Sequence, residues 1–193
     1  MTKITISQVT KALPKIKEGL AKYNYLICNV HKPGDSEFQQ VYRDFFKFRG
    51  ALAKKANSSK YFKYMQECMK KKNLKIEEVL KRLYGDCGVV TPSFASKLLS
   101  MVNPDMPVLD SVVRKNLREL ENLDIKLAWH SKPEERIKRG IAAYEEIRKW
   151  YENHFKTGKA KEWIKLFDEE YRESKNKITD VKKIDLILWQ IRD

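Results

Sequence analysis

The chain has 193 residues, room for one sizeable domain or two small lobes sharing a groove. Forty Lys and Arg against 26 Asp and Glu give a net charge of +14 and a pI near 9.6, which points to a polyanionic partner, because cations set against phosphates release condensed counterions. A hydrophobic share of 42% excludes a wholly disordered chain, and no apolar run approaches the ~18 residues of a membrane helix.

Cys28, Cys68 and Cys87 are odd in number and none lies in a CxxC pair, so neither a disulfide framework nor a zinc site is expected. His31, His130 and His154 are too scattered to suggest a metal. The opening "MTKITISQVTKALPKIKEG" has no apolar signal core. A cytoplasmic protein without metal, membrane or cofactor is the expectation.

Helical periodicity dominates, and the predicted fold is all-α with eight or nine helices. "YLICNV" at 25–30 reads as a strand or equally as a buried helical turn. "SEFQQVYRDFFKFRGALAKKA" starts with Ser36 as N-cap and places Phe38, Val41, Tyr42, Phe45 and Phe48 (or Phe46) on one side. "SSKYFKYMQECMKKK" follows, then "KIEEVLKRLYG", stopped by Gly85. Between Lys54 and Arg82, ten Lys and Arg stand against Glu67, Glu77 and Glu78. A basic face is therefore assigned to the first half, with Lys71 and Lys72 in it, although "KKKN" taken alone is equally a solvated helix end.

"EEVLKRLYGDCGVVTPSFASKLLSMV" reads as two helices around a glycine-punctuated turn of about eight residues. Gly85 and Gly88 permit positive φ, and Pro92 opens the second helix. Such a hairpin is most simply an αα-hairpin; it also offers amides at a helix N-terminus to a phosphate oxygen, with Thr91, Ser93 and Ser96 nearby. "NPDMPVLDSVV" comes next, where two prolines stiffen the connection and Asp110 takes the N-cap position of an apolar-periodic helix that carries Arg114. Asp110 is a cap, yet capping leaves the carboxylate rigid and charged, able to stabilise a developing cation or orient a water. Helices over "SKPEERIKRGIAAYEEIRKWYENHF", capped by Ser131, "KAKEWIKLFDEEYRESK" and "TDVKKIDLILWQIRD" close the chain. Trp150, Trp163 and Trp189 are expected in the core.

The glycine turn, the small residues Ala95 and Ser96 early in the next helix, and "P-x-D" before "LDSVV" together resemble the helix–hairpin–helix DNA glycosylase superfamily. The match is specific over about residues 76–117 and is closest to a compact bacterial and phage-related branch. The resemblance implies a helical bundle with a groove between two lobes (1–35 plus 118–193, and 36–117). It also implies a monomer that flips a base out of double-stranded DNA and cleaves its N-glycosidic bond, with excision of hypermodified phage bases as one use. Asp110 takes the family's aspartate role. The chain departs from the family at its phosphate clamp, "GDCGVVTPSFA". It departs again at the lysine nucleophile of bifunctional members, whose spacing falls on Pro92 and Ser93 rather than on Lys97, 13 residues before Asp110. Lys97 is accordingly expected to bind phosphate or partner the pocket, and to act as a nucleophile only if burial lowers its pKa. For the extruded base, Tyr42, Phe45 and Trp129 are candidate stacking faces and Asn24 and Gln39 candidate edge readers, each aromatic being more simply core. Two readings compete with excision: a non-catalytic nucleic-acid-binding module, and a protein-interaction adaptor whose charge serves solubility.

Overall fold

The computed structural model describes residues 4–71 and 73–192, and among these it is all-helical. Ten α-helices run in order: α1 (Ile6–Ala12), α2 (Lys17–Asn29), α3 (Ser36–Phe45), α4 (Lys55–Cys68), α5 (Ile76–Cys87), α6 (Pro92–Val102), α7 (Ser111–Glu121), α8 (Pro133–Lys156), α9 (Lys159–Glu170) and α10 (Asp180–Gln190). Short 3₁₀ turns cover Leu13–Ile16, Gly50–Ala53 and Arg172–Ser174. No described helix is long and apolar enough to cross a membrane.

Several boundaries differ from expectation for local reasons. "YLICNV" is helical, most of it in α2. The cap of α3 is Asp35, whose carboxylate accepts from the Phe38 amide, and not Ser36. The helix stops at Phe45 because Lys47 turns left-handed at φ 51°, which lets both Phe46 and Phe48 fold inward. Gly85 does not stop α5. It costs a helix only ~1 kcal/mol, and the chain waits for Gly88, whose φ of 66° provides the left-handed C-cap. Ser131 does not cap α8, which opens at Pro133 after Lys132.

One apolar core runs from Ile4 to Ile191, and contacts between α2 and α3, α8 and α5–α6, and α10 and α7 join the two expected lobes. Between α3 and α4 the core is aromatic: Phe38, Tyr42, Phe46, Phe48, Tyr61 and Phe62 pack edge-on or tilted. Tyr61 donates to the Phe94 carbonyl at 2.9 Å, so Tyr42 is the donor across the 2.6 Å pair of hydroxyls. That chain ties α3 and α4 to α6.

α6 is buried along the whole stretch Ala95–Met101, as suits a central helix. Its start lies so close to α8 that a Cβ at Gly140 would meet Pro92 Cγ at 2.6 Å. The connection into α7 is clamped from two sides. Ser96 Oγ accepts from the Leu109 amide at 2.9 Å, and Asp185 of α10 accepts from the Val108 amide. Asn116, buried on α7, donates to the carbonyls of Leu188 and Ile191 at 2.7 and 2.9 Å, fixing the end of α10 beside the start of α7.

Candidate functional site

A cleft of about 560 Å³ opens where five segments converge. They are the Leu13–Ile16 turn with the start of α2, the end of α3 with the bend after it, the N-terminus of α6, the N-terminus of α7, and the end of α10. Lys97 and Asp110 line it together.

Asp110 is the N-cap of α7. Its Oδ1 accepts from the Val112 amide at 2.9 Å and from the Trp189 indole at 3.0 Å. Its Oδ2 faces Lys97 Nζ at 2.8 Å. Lys97, one turn inside α6, also donates to the Phe46 carbonyl at 3.2 Å. Three rings surround the ammonium, with centroids 4.9 Å (Phe94), 5.8 Å (Phe46) and 5.9 Å (Trp189) away. Burial pushes the Lys97 amine below the ordinary lysine range. Asp110 opposes that shift, while Arg49 and Lys182 add to it. The side chains are only 4% and 10% exposed, so the pair forms the floor of the cleft rather than its rim.

The rim is charged. Lys22 bridges Glu18 and Asp44 at 2.6 Å each, joining α2 to α3, and Lys47 also reaches Asp44. Lys15, Arg49 and Arg192 line the cleft without a carboxylate partner among the described residues. Ser93 and Ser111 stand in the first turns of two helices that begin at the cleft, where the helix dipole favours anions. The cleft thus sets six cationic and three carboxylate side chains around the aromatic residues Phe45, Phe46, Phe94 and Trp189. No group of three His, Cys, Asp or Glu side chains that could hold a metal comes together among the described residues.

Of the other residues singled out in the sequence, Ser93 and Phe45 line the cleft. Ser96 is fully buried, with its hydroxyl donating to Ser93 O and accepting from Leu109 N, so it is a structural tie and not a phosphate contact. Thr91 caps α6, accepting from the Phe94 amide, and Gly88 ends α5 across a short turn from it. Gly85 lies within α5. Arg114 is half-buried on α7, and Lys71 is exposed beyond α4, 5.7 Å from the Tyr64 ring. Lys72 lies outside the described residues.

The remaining base-pocket candidates do not meet at the cleft. Tyr42 is sealed in the aromatic core. Gln39 donates to the Pro33 carbonyl, and Asn24 faces Ser174. Trp129 is 77% exposed on the connection between α7 and α8. In their place the structure supplies Phe46, Phe94, Arg49 and Trp189, the last only half-buried and not the core residue expected. Apolar periodicity marks those aromatics as inward-facing but does not say which of them border a recess.

A second buried pair sits behind the floor. Lys182 meets Asp185 at 2.7 Å, and Asp185 also accepts from the Tyr151 hydroxyl. A void of about 10 Å³ bordered by Asp110, Lys182, Asp185 and Trp189 separates the two pairs, close to the room one water needs. No family model, curated protein or solved structure matches the chain.

Proposed function

We propose that the protein is a DNA glycosylase that receives a flipped, modified or damaged base in this cleft and hydrolyses its N-glycosidic bond. The observation that carries the reading is the Lys97–Asp110 pair: a carboxylate fixed at a helix N-terminus beside a buried amine of lowered proton affinity, on the floor of an aromatic-walled, basic-rimmed recess. Phe94 and Trp189, half-buried on the wall with Phe45 packed behind Trp189, supply aromatic surface for a base, and Lys15, Arg49 and Arg192 offer charge to the flanking phosphates.

As the C1′–N bond breaks, its electron pair leaves with the base and positive charge grows on the sugar. Asp110, held by three donors, is a pre-oriented anion for that charge. Water then adds its oxygen to C1′, and the proton it loses ends on the nitrogen of the departed base. Lys97 keeps the carboxylate oriented. The alternative route, attack of a deprotonated Lys97 on C1′ followed by strand cleavage, needs the amine freed from Asp110; burial lowers its proton affinity and Asp110 opposes that shift. Hypermodified phage DNA is the substrate class suggested by the sequence resemblance.

The engagement of Lys97 with Asp110 and Phe46 O favours one second reading, in which the pair only locks α6 to α7 and the protein binds nucleic acid without chemistry. Incubation with modified phage DNA and with damaged oligonucleotides, followed by detection of abasic sites, separates the two. Excision requires abasic sites with the native chain and none with Asp110→Asn. Borohydride trapping on the same substrates reads out a Lys97 Schiff base.

A further inference from the structure

Residues 122–132, between α7 and α8, form an extended strap. Leu123, Ile125 and Leu127 turn inward and alternate with exposed neighbours, as an extended chain with one face on a core requires. Trp129 is the next member of that inward series, but the core has ended and the indole stands 77% exposed. The backbone beneath it is nevertheless held. Arg139, in the second turn of α8, donates to the carbonyls of Ala128 at 3.1 Å and Trp129 at 3.5 Å. One turn earlier Arg136 donates to the Val90 carbonyl at 3.2 Å, in the turn between α5 and α6. One face of α8 thus connects the exposed indole to the α5–α6 turn.

The charge here is positive. Between residues 124 and 139 lie Lys126, Lys132, Arg136, Lys138 and Arg139 against Asp124, Glu134 and Glu135. Two of those acids are taken by Lys126 and Lys138. Arg136 and Arg139 donate to backbone carbonyls, and neither has a carboxylate within ion-pair distance among the described residues, although Glu135 feels the charge of Arg139. An exposed indole whose backbone is anchored, on a stretch of net positive charge, is the kind of surface by which proteins hold an unpaired nucleobase while attracting its phosphates.

We propose that Trp129 is a stacking site for an unpaired base of single-stranded or locally opened nucleic acid, separate from the cleft and fastened to the α5–α6 turn through Arg136 and Arg139. This requires a nucleic-acid partner but not base excision.

The test is fluorescence anisotropy of a labelled oligothymidylate strand and of a matched duplex, with native protein, Trp129→Ala, Trp129→Leu and Trp129→Phe, each checked for native helix content. Trp129→Ala and Trp129→Leu are expected to weaken single-strand binding roughly ten- to hundredfold, and Trp129→Phe to retain most of it, since a leucine keeps apolar area but not the ring face. The salt dependence is expected to stay unchanged, because no phosphate contact is removed. Single-strand affinity unchanged in Trp129→Ala overturns the proposal. So does equal retention by Leu and Phe, or loss in Trp129→Ala of self-association or of vesicle binding in place of oligonucleotide binding, either of which would mark a protein or lipid contact. Absence of abasic sites alongside a Trp129-dependent affinity would remove the excision reading and leave this one standing.

Discussion

Asp110→Asn perturbs the floor of the cleft with little change of shape. The amide oxygen can still accept from the Val112 amide and the Trp189 indole, so the cap and the indole contact survive. What is lost is the negative charge 2.8 Å from Lys97. The ammonium is then buried with one carbonyl and three rings. If it stays charged the cost is about 3–5 kcal/mol; if it sheds its proton, the cost at pH 7 relative to an ordinary lysine at 10.5 is at most about 5 kcal/mol, falling by ~1.4 kcal/mol per pH unit. The native-state pKa of Lys97 lies below its unfolded value, so the unfolded chain binds more protons and stability rises with pH up to the ordinary lysine value. Removing Asp110 deepens the depression, so the rise begins at lower pH. Urea unfolding followed by far-UV circular dichroism should therefore find Asp110→Asn destabilised by about 3–5 kcal/mol at pH 7, shrinking toward ~2 kcal/mol at pH 9. Adding Lys97→Met to Asp110→Asn should recover much of the loss, because the stranded charge is gone. A deficit that does not change with pH, or a double variant weaker than Asp110→Asn, would refute the pairing.

Further outcomes follow from other contacts. Gly140→Ala would drive a methyl against the Pro92 ring at 2.6 Å, and the ring cannot yield as a flexible side chain would. Overpacking there should outweigh the ~1 kcal/mol gain in helix propensity and lower Tm by a few degrees in calorimetry, whereas a raised Tm would mean that α8 can slide. His154 is buried between Trp150 and Trp163, 4.5 and 4.7 Å away, and burial first, then Lys159, lowers its pKa to about 4. Its native pKa lies below the unfolded value of 6.5, so its contribution is present above that value and is lost as pH falls from about 6.5 toward 4, by at most ~3 kcal/mol. His154→Phe should flatten the stability profile over that window in denaturant melts, and an unaltered profile would contradict the assignment.

Features written locally were legible in the sequence, and features written across the chain were not. Asp110 as a cap follows from "NPDMPVLDSVV" alone, since the proline stop, the acid and the apolar period sit within a few residues. The pairing of Lys97 with Asp110 was less accessible. Their separation of 13 residues argued against the lysine, but both cleft-facing ends are set by helix geometry and by the Ser96–Leu109 clamp, not by a motif count. Trp189 reaches Asp110 from 79 residues away, brought there by the Asn116 bonds that hold the end of α10 and by the Asp185 contact to the Val108 amide. Trp129 failed as a pocket residue for a related reason: its place in an inward-facing series says which way it points, not where the core ends. The basic segment 54–82 showed charge, yet the uncompensated cations at the cleft, Lys15, Arg49 and Arg192, come from three other segments.

Base excision at the Lys97–Asp110 cleft is the proposed activity. Its most direct measurement is the number of abasic sites formed per enzyme on modified phage DNA, compared between the native chain and a folded Asp110→Asn. Abasic sites are expected to accumulate with the native protein and to fall at least about a hundredfold in the variant, the usual scale for removing one pre-oriented group that stabilises transition-state charge. Equal rates in the two proteins would contradict it. So would tight DNA binding with no base released by the native protein from any substrate, phage-derived or damaged.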